Sequence, residues 1–318
     1  MGGLFSPFSS DSASSVNPAY SEEGDVHRLT IDARSLVFLR SKLRHYNPPN
    51  GCGDSINILL FGLVGAGKSA TINTILSALD PEYETITTVP TGRNPSSLTA
   101  ELRSYTPPFA KSLKLWDTAG WNTVNDAVKA KKILEMILEG RVPEKTNSQQ
   151  CMRSSGHAVH ICLKVASTSG LCAVVCKLCN LNPDLDDGKY QVIPENVIHV
   201  VAFIVDLNTI DNISGDMKTQ FKDMQTIVVQ KHIYRTVIGT KFDRLGIPEK
   251  DNSYIYQYMP LQKKFVKLSE ETGMEKHRMF AISNEWKGDT IDQTRCVLIL
   301  HALENMVGNI NEHFRTAE

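Results

Sequence analysis

Residues 61–69 read Phe61-Gly62-Leu63-Val64-Gly65-Ala66-Gly67-Lys68-Ser69, and Gly62, Gly67, Lys68 and Ser69 fit the spacing G-x-x-x-x-G-K-[ST] without a mismatch. The spacing has a physical reason. Glycines let the backbone curl until several N–H groups point inward at phosphate oxygens. Lys68 would set its ammonium on β- and γ-phosphates, and the Ser69 hydroxyl would ligate Mg²⁺. Gly65, Ala66 and Ala70 complete the candidate cradle. The pattern also arises by chance, so the flanks decide. Ile56-Asn57-Ile58-Leu59-Leu60-Phe61 is an apolar run typical of a buried strand. Ile72, Ile75, Leu76 and Leu79 then recur at helical spacing, and Pro81 stops them. Strand, glycine turn and helix are the context that a phosphate loop requires.

Outward from this unit, strands and helices alternate. Strands are expected at 56–61, 99–105, 112–116, 198–206, 234–240 and 278–283. Helices are expected at 68–79, 124–139, 216–230, 254–271 and 290–308. Residues 30–46 add an earlier helix with a broken apolar stripe, Ile31, Leu36, Leu39 and Leu43, packed beside the domain or serving as a linker. The rhythm predicts an α/β fold: P-loop GTPase-like, doubly wound, with a mostly parallel sheet and helices on both faces. Val197 to Val205 is apolar on both faces, as a central parallel strand requires, and His199 within it reads as a core histidine. The expected division is a disordered Ser-rich tail at 1–24, a helix and linker at 25–54, and the nucleotide domain at 55–316.

A strand ending in Asp117-Thr118-Ala119-Gly120 supplies a D-x-x-G element. There Asp117 would hold Mg²⁺ through water, and the Gly120 N–H would sense the γ-phosphate. Thr240-Lys241-Phe242-Asp243 looks like the guanine-reading N-K-x-D motif with Thr240 in the first place. The Asp243 carboxylate would accept two hydrogen bonds from guanine, a donor pair that adenine lacks. The Lys241 stem would lie along the base. Ser283 and Asn284 end the next strand, where backbone N–H groups would face the guanine oxygen. Thr99 is the best-placed threonine to close over Mg²⁺, with Thr87, Thr88 and Thr91 as alternatives. The metal set is therefore Ser69, Thr99 and Asp117. Trp121 follows Gly120 where hydrolytic relatives place a water-orienting Gln, so slow turnover is expected.

Composition narrows the field. The 318 residues carry 34 Lys+Arg against 35 Asp+Glu, so no basic excess points to nucleic acid. No apolar run approaches ~18 residues, so no transmembrane helix is expected. Nor does the N-terminus show a secretory signal, so the seven cysteines read as reduced thiols in a cytosol. Met1 to Ser6 fits the N-myristoylation pattern at Gly2, which alone would give weak membrane contact. Residues 148–180 break the α/β rhythm and hold five of the seven cysteines. They read as a flexible insertion, as a zinc site around Cys172, Cys176 and Cys179, or as translated non-coding sequence. Joining Asn147 to Leu181 would leave an ordinary helix-to-strand loop.

With these motifs in place, the chain resembles the interferon-induced protein 44 family of GTP-binding proteins. The resemblance covers about residues 35–310. It rests on Leu43-Arg44-His45-Tyr46-Asn47-Pro48, on Gly65 to Ser69, and on Ile198 to Phe203 before Asp206. It continues through Ser283-Asn284-Glu285-Trp286 and Val297-Leu298-Ile299-Leu300-His301-Ala302-Leu303. It implies a cytoplasmic, interferon- or immune-linked protein with guanine nucleotide binding and antiviral or antiproliferative action. The motifs themselves call for GTP/GDP with Mg²⁺ and for an unidentified protein effector. The segment ahead of the domain is short, which leaves no room for a full companion domain. The cysteine-rich stretch has no counterpart. The favoured reading is a GTP·Mg²⁺ switch with slow hydrolysis. A nucleotide-holding scaffold without turnover and a P-loop ATPase are the alternatives.

Overall fold

A computed structural model describes residues 29–82, 86, 88–91, 102–118, 127–142, 144, 191–247, 254–285 and 291–317. The Ser-rich tail, the cysteine-rich stretch, Thr87, Thr99, Gly120 and Trp121 lie outside these residues.

β1 (Ile56–Gly62) is buried along its whole length, because apolar side chains occupy both of its faces. It pairs in parallel with β3 (Leu113–Asp117) on one side and β4 (Val200–Asp206) on the other. β5 (Tyr234–Thr240) and β6 (Met279–Ala281) extend the parallel sheet. β2 (Arg103–Tyr105) runs antiparallel along the other edge, giving the order β2-β3-β1-β4-β5-β6. Parallel strands need both faces covered. α1 (Ala33–Arg44), α2 (Lys68–Leu79) and α6 (Gln293–Ala317) cover one face. α3 (Ala127–Leu138), α4 (Gly215–Gln230) and α5 (Met259–Thr272) cover the other. The doubly wound α/β class is the one read from the alternation of elements.

Close approach of β1 to β4 explains Gly62. A Cβ there would sit 2.3 Å from the Ile204 carbonyl oxygen, so any larger residue forces the two strands apart. At the opposite, amino end of the sheet, Asn57 is buried and fully engaged. Its side chain donates to the carbonyls of Glu195 and Val197 and accepts from the Trp116 indole, while its backbone N–H donates to His199 Nδ1. Burial pushes His199 down to about 4, so its ring is neutral at physiological pH. It is a core histidine, as expected.

Several boundaries differ from the sequence reading. α5 begins at Met259 rather than 254, because Pro260 has no N–H to donate and fits only a first helical turn. β6 stops at Ala281 rather than running to 283. α6 runs on to Ala317 rather than ending at 308. Met306, Ile310 and Phe314 continue its core-facing stripe at i+4 spacing.

α1 is built into this core. Leu36, Leu39 and Leu43 are buried among α2 and α6 side chains. Arg40 Nε donates to the Ala78 carbonyl and Arg44 Nη2 to the Leu79 carbonyl, each at 2.7 Å. Those carbonyls lie in the last turn of α2, where no intrahelical donor remains for them. Replacing buried Arg40 with Met should keep the packing volume but strip the Ala78 carbonyl of its donor. The expected cost is about 1–3 kcal/mol, measured by urea denaturation.

Candidate nucleotide-binding site

The predicted motifs converge at one edge of the sheet. β1, β3 and β5 end at their carboxyl termini in candidate residues, and β4 ends beside them in Asp206, at the crevice where open α/β sheets bind ligands. From β1 the chain turns through residues 63–67, with the Ala66 N–H bonded back to the Leu63 carbonyl. Gly67 is the N-cap of α2 at φ +100°, a left-handed conformation that L side chains resist. No side chain caps the helix there. The first i→i−4 bond runs from the Thr71 N–H to the Gly67 carbonyl. The amides of Lys68, Ser69 and Ala70 precede that bond and head the positive end of the helix dipole, an arrangement suited to an anion.

Lys68 is buried, its Nζ 3.0 Å from the carbonyls of both Gly62 and Leu63. Burial pushes its ammonium down to about 8, with the Asp117 charge opposing. Ser69 Oγ donates to Asp117 Oδ2 at 2.7 Å, which brings two of the three predicted metal-binding residues together. The third, Thr99, lies outside the described residues, as does Gly120. Thr88 and Thr91 are exposed. Among the described residues no group of three or more His, Cys, Asp or Glu is placed to hold a metal.

The Thr240 hydroxyl is buried and donates to the Ala66 carbonyl at 2.6 Å, so the end of β5 grips the phosphate loop from behind. Lys241 adds a second tie. Its Nζ reaches the Gly65 carbonyl at 3.0 Å and Asp206 Oδ2 at 2.5 Å, from a backbone held at φ +60°. Asp243 follows on a short 3-10 turn, and its Oδ1 is buried without a hydrogen-bond partner. Asn284 uses its side chain on α2: Nδ2 donates to Thr71 Oγ1 at 3.0 Å, and Oδ1 accepts from Thr74 at 2.8 Å. Ser283 beside it is buried.

Two contributors were not assigned from sequence. Asp206 ends β4 and receives Lys241 together with the Asn208 backbone and side-chain amides. Burial resists its ionisation, but these donors outweigh burial and hold its carboxyl below the usual range. An acidic residue closing a buried strand was the available signal. Asn73 clasps Val89 in both directions, donating to its carbonyl at 2.8 Å and accepting from its N–H at 2.9 Å. That clasp anchors the segment that leaves α2, and nothing in the sequence pattern marks it. Thr240→Val should leave the Ala66 carbonyl buried without its donor and cost roughly 1–3 kcal/mol in urea unfolding.

No family model matches the chain. Human interferon-induced protein 44-like is 25% identical over 291 residues, spanning 89% of this chain and 58% of its own length. Mouse interferon-induced protein 44 is 24% identical over 299 residues, 88% of this chain and 61% of its own. The chain thus spans little more than half the length of these curated relatives. Among solved structures, Toc33 from Arabidopsis thaliana, crystallised with GDP and Mg²⁺, overlaps 87% of this chain and 91% of its own. Its TM-score is 0.45 and its identity 13%. The signal recognition particle receptor SRb-GTP/SRX complex from Chaetomium thermophilum gives a TM-score of 0.33 at 15% identity, over 76% of this chain and 96% of the matched one. In sequence, along most of its length, this phosphate-loop α/β chain resembles the interferon-induced protein 44 family.

Proposed function

We propose that the chain binds guanine nucleotide with Mg²⁺ as a switch in an interferon response, and that it hydrolyses GTP slowly. One observation carries the base preference. Asp243 Oδ1 is a buried carboxylate oxygen without a partner, on the turn that also grips the phosphate loop through Lys241. A buried acceptor left unsatisfied is costly, and a ligand offering N–H donors would relieve that cost. Guanine presents an adjacent ring N–H and amine, whereas adenine presents no such pair.

The remaining residues fit the rest of the nucleotide. The first-turn amides of α2 and the Lys68 ammonium suit a polyphosphate. Ser69 and Asp117 suit a divalent cation whose other ligands are phosphate oxygens and water. Such a cation would supply charge neutralisation between β- and γ-phosphates. The side chains of Thr240, Lys241 and Asn284 also tie down the loop and α2, fixing the cradle before binding. Trp121 follows Gly120 in the sequence, and an indole cannot orient an attacking water as an amide does. Slow turnover follows, with release of the γ-phosphate read by a protein effector. The cytoplasmic setting and the antiviral outcome are part of the same proposal.

Isothermal titration of the purified chain should give heats with GDP and GTP and much weaker ones with ATP. Asp243→Ala should remove that difference, and equal affinity of the wild type for ATP would refute the guanine assignment. A single-turnover assay should show slow loss of bound GTP.

Lys68 adds a pH signature. In the free protein the ammonium loses its proton as pH rises through about 8. Phosphate would favour the charged form and raise that midpoint. GDP affinity should therefore fall as pH climbs through about 8, and binding near that pH should take up a proton. Titration heats that vary with the ionisation enthalpy of the buffer would report the uptake. Heats independent of the buffer would mean that Lys68 is fully charged beforehand.

A further inference from the structure

Beside the phosphate loop, sharing Gly62, Gly65 and Ala66 with it, lies a cavity of about 300 Å³ whose apolar part the nucleotide reading does not use. Its wall includes residues 62–66, but not Gly67, Lys68, Ser69 or Asp117, so it lies away from the first turn of α2. The floor is hydrocarbon: Ile204, Ile210, Ile213, Phe221 and Leu268, with Met217 from the first turn of α4. It has about twice the volume of an engineered apolar cavity of roughly 150 Å³ that takes up benzene. That volume suits a molecule of two fused rings or a comparable aliphatic chain.

The charges around it restrict the ligand further. Lys218 and Glu271 pair with each other across the cavity wall at 2.5 Å. Asp206 is engaged by Lys241 and Asn208. Each charged group on the wall therefore already has its counter-group. A charged guest would meet no unpaired counter-charge on the wall and would lose hydration against its hydrocarbon floor. The hydroxyls of Thr209 and Thr272 already donate to the carbonyls of Asp206 and Leu268, and Thr272 Oγ1 also accepts from the Met274 N–H, which leaves the Thr209 oxygen to accept. A guest with one neutral O–H or N–H donor is thus matched.

We propose that this cavity is a binding site for an uncharged, hydrocarbon-bodied small molecule with a single hydrogen-bond donor. The binding itself is independent of the nucleotide reading. A second part rests on that reading. Because the wall includes residues 62–66 of the phosphate loop, a guest that stiffens the loop should raise nucleotide affinity, and nucleotide should raise affinity for the guest by the same factor.

The test uses 1-naphthol and its near-isostere 1-naphthoate, titrated into the full chain while methyl NMR follows Ile204, Ile210, Ile213 and Met217. Saturable shifts of these methyls with 1-naphthol, at least about tenfold weaker with the anion, are the expected result. Met217→Trp should fill the space and abolish the shifts, with circular dichroism confirming that the variant is folded. Absence of shifts with 1-naphthol, equal binding of the two probes, or shifts at unrelated methyls would overturn the site. The GDP dissociation constant in saturating 1-naphthol should fall about threefold or more, and an unchanged value would overturn the linkage alone. If the chain takes up no GDP in any sample, the nucleotide reading fails while the methyl titration still decides the cavity.

Discussion

A loop that offers its amides to a ligand cannot use them to hold itself in place. Here, apart from the Ala66 N–H bonded back to Leu63, the loop after β1 is held through its carbonyls. The Thr240 hydroxyl takes the Ala66 oxygen, and the Lys241 ammonium takes that of Gly65. The Lys68 ammonium takes those of Gly62 and Leu63. Acceptors are satisfied from below and the side while the donors of the first turn of α2 stay directed at the crevice. The charge arrangement supports this division. Lys241 is balanced by Asp206, and Lys68 faces Asp117 across Ser69.

The same logic organises the two ends of the sheet differently. At the carboxyl edge, polar groups are spread over four strand ends and converge on a loop. The amino edge gathers them on one residue, Asn57, which serves two carbonyls, an indole and a histidine at once. There Asn57 spends its side-chain amide and its backbone N–H on other parts of the chain. Polar residues inside a sheet thus divide into those that complete the fold and those that leave capacity for something else.

Much of this was legible in the sequence where local rules apply. The apolar run of β1, the glycine spacing and the helical period of α2 depend on neighbours a few residues away, and α2 begins and ends where they place it. So do the strand before Thr240 and the one reaching Asp117. What was not legible depends on contacts across the chain. Asn284 was read for its backbone N–H alone; that its side chain staples α2 to the loop after β6, more than two hundred residues apart in sequence, was not read. Asp206 matters because Lys241 lies beside it, and no spacing rule links positions 206 and 241. The start of α5 was missed for a local reason, the proline near its first turn. The far end of α6 was missed because its last apolar positions are recognised only once the core they face is known.

The arginines of α1 carry a practical consequence. A fragment cut just ahead of β1, where the phosphate-loop unit begins in the sequence, would lose Leu36, Leu39 and Leu43 from the hydrophobic interior. It would also leave the Ala78 and Leu79 oxygens without their guanidinium donors, at the far end of the helix whose other end faces the crevice. A fragment meant to keep this core therefore has to start upstream of α1, whose first turn the Asp32 carboxylate closes and ahead of which Leu29 and Ile31 also pack against the interior.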